Sequence, residues 1–176
     1  MLKRSKLLCL AVALGATFAS TARAATSGTY TVTLVASANA MIQILDAEIT
    51  MTPTATDYGN DYCEAAGAAG IHVRVKTNSM TGMVLMVRCA DASPQITLAD
   101  LMVRTLTAAG TGGTTMGSYT AITAANQNLW TTSIAQHPWQ TVATDVRVQN
   151  LMNYDDAITA GTSNFTNTLT YTVVAQ

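Results

Sequence analysis

The chain has 176 residues, 49% of them hydrophobic and only 11% charged, with a formal net charge of −1. That length suits one domain with a core of its own. Nine Lys/Arg in all, four of them before residue 25, leave too few cations to track a phosphate backbone or an anionic membrane surface, so nucleic acid is set aside as a partner.

The N-terminus, MLKRSKLLCLAVALGATFASTARA, places Lys3, Arg4 and Lys6 before an apolar run from Leu7 to about Ala19 and ends on Ala22-Arg23-Ala24. Cations, apolar run and small-x-small triplet follow the order of a secretory signal peptide, with cleavage expected before Ala25. The run is shorter than the roughly 20 residues that span a bilayer, so no transmembrane segment is expected and the product is secreted or displayed at the cell surface, with the periplasm as its transit compartment. Cys9 lacks the small residue that precedes a lipidated cysteine and leaves with the peptide. Residues 1–24 are thus read as signal and 25–176 as a single β-sandwich domain. Five cations then face ten carboxylates, a net charge of −5.

From residue 28 onward the pattern has period two. In GTYTVTLVAS, Tyr30, Val32 and Leu34 alternate with threonines, which predicts a strand over 28–36 with those three side chains on its buried face. AMIQIL and AEITMT read as strand, and the stretch TATDYGNDYCEAAGAAG reads as a polar loop. In IHVRVK, Ile71, Val73 and Val75 face one way and His72, Arg74 and Lys76 the other. TNSMTG supplies turn residues and MVLMVRC returns as strand, so residues 71–89 read as a hairpin. ITLADLMVRTLT, YTAIT, a tryptophan-containing segment from Trp130 to Trp139, QTVATDVRVQNL and FTNTLTYTVV complete an all-β chain of short strands. The fold class expected is an antiparallel β-sandwich.

Cys63 and Cys89 form an even pair in an exported chain, and one disulfide is expected between them. Closing that loop stabilises a fold by roughly 3–4 kcal/mol in the chain-entropy picture. Catalytic signatures are missing: no GxSxG, no HExxH, no glycine-rich phosphate loop, and the two histidines after the signal, His72 and His137, are 65 positions apart. His72 reads as a surface histidine and His137 as part of a loop beside Trp139. The expectation is a protein that is not an enzyme and carries no cofactor or metal. Asp57, Asn60, Asp61 and Glu64, and again Asn153, Asp155 and Asp156, offer oxygen atoms to Ca²⁺, but their spacing matches no calcium loop, and turn formation accounts for them. Met80, Met83 and Met86 fall on alternating faces of a strand and read as packing residues. The sequon at Asn164 is read as chance.

The strand after the signal, the cysteine pair, the mid-chain LW and the closing AGTSNFTNTLTYTV (Ala160, Gly161, Thr162, then Phe165 to Val173) together resemble the secreted bacterial spore-coat-U and archaic chaperone–usher pilin-like proteins. The first cysteine departs from that pattern, since in those proteins it lies much nearer the mature N-terminus than Cys63 does here. The resemblance implies an immunoglobulin-like sandwich completed by an extended segment of a neighbouring subunit, delivered by a periplasmic chaperone and polymerised at the surface. It makes a fibre subunit of a fimbrial or pilus type, joined by strand addition to copies of itself or pilin-like partners, the leading expectation. The alternative is a monomeric, adhesin-like binding module that uses the loops at one end of the sandwich. Alternation suits Tyr30, Val32 and Leu34 equally to a strand donated to a neighbour and to the chain's own first strand.

Overall fold

A computed structural model describes residues 33–34, 36–46, 48–106, 112–155 and 164–176, and the fold is that of the unit Ala36–Gln176. It is mostly β, with two antiparallel sheets of six and four strands in a sandwich-like arrangement. The strands in chain order are β1 (Ala40–Ile44), β2 (Tyr62–Ala65), β3 (Ile71–Thr77), β4 (Met83–Cys89), β5 (Leu101–Arg104), β6 (Gly113–Thr115), β7 (Thr120–Ala121), β8 (Gln127–Thr132), β9 (Gln136–Gln149) and β10 (Leu169–Ala175). Two short helices, α1 (Ala55–Asn60) and α2 (Met152–Asp155), and a 3-10 turn at Gly67–Ala69 interrupt them. The larger sheet runs β1-β3-β9-β5-β7 with β2 also paired to β9; the smaller runs β10-β4-β8-β6.

Alternation sets the core. Val73, Val75 and Thr77 of β3 point inward with Val142, Thr144, Val146 and Val148 of β9, and all seven are buried. From the smaller sheet Met83, Leu85, Val87 and Cys89 of β4 meet them, with Leu129 and Trp130 of β8. Each such side chain, taken out of water, contributes on the order of 1.5–3 kcal/mol before entropy is subtracted. Trp130 is the largest fully buried side chain. Its indole has room only because Gly113 faces it, since a Cβ there would lie 2.1 Å from Trp130 Nε1.

Two expectations are corrected by the topology. Residues 71–89 do not form a hairpin: β3 pairs with β1 and β9 in one sheet, β4 with β10 and β8 in the other. The connection Asn78–Gly82 is an arch that carries the chain across the sandwich. Its polar groups are satisfied locally, as Thr77 Oγ1 donates to Asn39 O (2.8 Å) and the Asn78 side chain accepts from Asn39 N (2.6 Å). An arch and a hairpin use the same turn residues and the same alternating flanks, which is why period alone does not separate them. The stretch read as a polar loop contains α1, begun by a capping box in which Thr54 Oγ1 accepts from Asp57 N and Asp57 accepts from Thr54 N (2.7 Å). After α1, Asp61 takes a left-handed conformation and β2 follows.

The expected Cys63–Cys89 disulfide is not formed. Both thiols are free and buried, Cys63 on β2 in the larger sheet and Cys89 at the end of β4 in the smaller one, so each serves as a core residue on its own strand. Burial pushes the Cys63 thiol above its ordinary value, with Asp57 adding to the shift. We expect native protein to react only slowly with a thiol reagent at Cys63 and Cys89, and both to react on unfolding. Peptide mapping of alkylated sites checks this, and rapid native labelling of either would count against the packing described.

Gly82 closes the arch at φ +91°, and a Cβ there would fall 1.9 Å from Thr132 O. Gly82→Ala therefore meets both backbone strain and a main-chain collision, and should cost about 2 kcal/mol or more. A thermal unfolding midpoint unchanged from the parent would contradict this close approach of the arch to the β8–β9 connection.

Candidate functional site

The margin of the sandwich formed by β1 and β10 differs from its centre. Among the described residues β1 pairs only with β3 and β10 only with β4, and the two lie in contact without sharing a ladder. The inner row of β10, Leu169, Tyr171 and Val173, stands opposite Cys89, Val87 and Leu85 of β4 in register. Those partners are fully buried, whereas the β10 row is only partly covered, as are Ala40 and Ile42 on the inner face of β1. Around the seam Ile44 and Val174 are each 48% exposed. Apolar side chains packed on a core yet half open to water mark a place where the sandwich lacks cover. Among the described residues each of the two strands also has one edge without a ladder there.

Inside the seam the Tyr171 hydroxyl is covered and makes no hydrogen bond, and burial pushes its pKa up to about 12. The Thr144 hydroxyl from β9 faces it across the core and opposes that shift.

A second cluster occupies the outer face of the larger sheet. Glu64 of β2 stands directly opposite Arg147 of β9, and Arg104 of β5 opposite Asp145 of β9. Both pairs bond: Arg147 Nη2 to Glu64 Oε2 at 2.8 Å and Arg104 Nε to Asp145 Oδ2 at 2.9 Å. The Arg147 guanidinium lies 4.2 Å from the Tyr62 ring and 4.0 Å from that of Tyr119, and Arg104 also stacks on Tyr119 at 4.2 Å. Tyr119 Oη donates to Glu64 (3.0 Å). The Arg147 bond first, and the Tyr119 hydroxyl with it, hold the Glu64 carboxyl below its ordinary range, while burial and the ionised Glu64 push the Tyr119 phenol up to about 12. The cluster is charge-balanced and fastens β2, β9, β5 and the Tyr119 loop together; it contains no nucleophile beside a base.

The sequence candidates are distributed over the fold. Leu34 is 87% exposed and outside any strand; Tyr30 and Val32 lie outside the described residues, as do Ala160, Gly161 and Thr162. Asp57 caps α1, Glu64 is held by Arg147, and Asp61 ends α1, so these carboxylates serve separate local structures. Among the described residues no group of three His, Cys, Asp or Glu side chains converges as a metal site. The side chains of Asp155 and Asp156 lie outside the described residues. His72 contacts Asp46 Oδ2 through its main-chain N–H (2.6 Å) and its ring Nδ1 (2.8 Å), and these bonds, the main-chain one first, lower the Asp46 pKa. His137, expected in a loop, is exposed within β9. Met83 is fully buried and Met80 is 79% exposed. Among the described residues, no helix is long and apolar enough to cross a membrane.

No protein family, curated protein or solved structure matches this chain. Its class therefore rests on the architecture itself, a mostly β, sandwich-like protein with two antiparallel sheets.

Glu64 gives a pH prediction. Its folded pKa is depressed, so its contribution is present above the ordinary value of 4.5 and lost as pH falls through the folded value. Arg147→Gln should cost about 1 kcal/mol at neutral pH. It should also make stability fall less steeply below about pH 4.5. Urea titrations across pH test this, and an acid limb identical to that of the parent would show that the pair does not couple.

Proposed function

We propose that the protein is a secreted structural subunit that joins neighbours by strand addition along the β1–β10 margin to build a surface fibre. The observation that carries the reading is the partly buried inner row Leu169, Tyr171 and Val173, on a margin where, among the described residues, β1 and β10 each pair on one edge alone. An added strand supplies main-chain partners to such an edge and presses alternate side chains onto the row beneath it. The segment proposed to do this is residues 28–36 of another copy, whose Tyr30, Val32 and Leu34 recur at the required spacing of two. Leu34 is 87% exposed, which is consistent with that role. Export by the N-terminal signal and escort by a periplasmic chaperone belong to the same reading, since an uncovered margin is an aggregation hazard in transit.

A donated strand and a folded acceptor separate cleanly by mutation. Val32→Asp should abolish fibres or detergent-resistant multimers while leaving the cooperative unfolding of the monomer intact, whereas Thr31→Asp should assemble nearly as the parent does. Negative-stain imaging and gel analysis of unheated samples give the readout. A parent protein that stays monomeric at high concentration, or a Val32→Asp variant that still polymerises, would overturn the proposal.

A further inference from the structure

Only five Lys/Arg follow residue 24, and four of them, Arg74, Lys76, Arg104 and Arg147, project from the outer face of the larger sheet. Two of the four are neutralised in the Glu64–Arg147 and Arg104–Asp145 pairs. The other two are not. Arg74 is exposed, and its cross-strand neighbours are Gln43 on β1 and Thr141 on β9. Lys76 faces Met41 across β1, and its ammonium sits 4.6 Å from the Trp139 ring centroid. Neither makes an ion pair among the described residues. Asp46, at the end of this face, is engaged by the His72 main chain and ring.

Two cations without an ion-pair partner among the described residues thus stand on this face, with the Asp46 carboxylate at its end, beside a tryptophan that is 37% exposed and the neutral hydrogen-bonding side chains Gln43 and Thr141. We propose that this face, centred on Arg74, Lys76 and Trp139, binds a carboxylated polysaccharide. The chemistry matches point by point. A guanidinium takes a carboxylate in a two-pronged hydrogen bond and an ammonium takes another as a point charge. An indole ring packs on the apolar C–H face of a pyranose, and amide and hydroxyl side chains meet sugar hydroxyls. Adjacent outward positions on β3 are separated by about 6.6 Å, so the two cations form a short row along the strand that suits a chain with spaced charges. A phosphate polymer fits less well, because its affinity comes from neutralising many closely spaced charges and only two cations are available. The surface is independent of the β1–β10 margin, whose partner side chains point inward, so the two proposals fail separately.

The test is retention of the full exported protein on immobilised polygalacturonate, with dextran as a neutral polymer and duplex DNA as a phosphate polymer. Binding should appear on polygalacturonate alone and weaken with salt with a log–log slope no steeper than about 2. The double variant Arg74→Gln/Lys76→Gln should bind at least tenfold more weakly and Trp139→Ala several-fold more weakly, while Arg88→Gln, on the outer face of the smaller sheet, should bind as the parent does. Unfolding midpoints close to the parent's would show that these surface changes leave the fold intact. Absence of retention on polygalacturonate, equal retention of the double variant, comparable binding to dextran, or tighter binding to DNA would each overturn the proposal.

Discussion

Strand β9 is the member on which the rest of the molecule depends. Over fourteen residues it pairs with β3 along its first part, with β2 along its last part, and with β5 on the opposite edge. Its inward side chains Val142, Thr144, Val146 and Val148 form the floor of the core, and its outward Asp145 and Arg147 anchor the salt-bridged face. One strand therefore fixes three registers at once. A slip by a single residue would turn the four core side chains outward and separate both ion pairs together.

Because the centre is determined so strongly, the margins carry the variation. Among the described residues β1 and β10 each pair with a single neighbour, and their inner side chains are only partly covered although the residues facing them across the ladder are buried. The hydroxyls of Tyr171 and Thr144 face each other between the well-packed middle and this margin.

Much of the β content was legible because alternation survives in segments such as Val73-Arg74-Val75-Lys76, which shows its two faces directly, and because Met83-Val84-Leu85-Met86 is a short continuous apolar run bounded by turn residues. Which strands pair was not legible, since Asn78–Gly82 is compatible with either a hairpin or an arch, and the choice is made by distant partners such as Asn39 and Thr132. Helix α1 was hidden in a stretch rich in Asp, Asn and Gly, where the Thr54 and Asp57 capping spacing was its one clear signal. The cross-strand cluster of Tyr62, Glu64, Arg104, Tyr119 and Arg147 was likewise beyond reach, as its members come from separate strands and meet only once register is set. The free thiols were misread because export and an even count speak to oxidation, and neither says where two strands place their sulfurs.

The arch at Asn78–Gly82 and the passage from β8 to β9 both send the chain to the opposite sheet, so successive strands there are not bonded to each other. Most ladders instead join segments far apart in sequence, β10 with β4 and β9 with β2 among them. Loop-closure entropy must then be met before any of these ladders repays it, which places folding in the slow range of milliseconds to seconds typical of non-local β topologies. During that interval β4 waits, apolar on its inner face and flanked by two missing partners, for a strand made some eighty residues later. A chain built this way holds an apolar, unpaired strand open until its distant partners are made, and an unpaired apolar strand is the kind of surface through which folding intermediates aggregate.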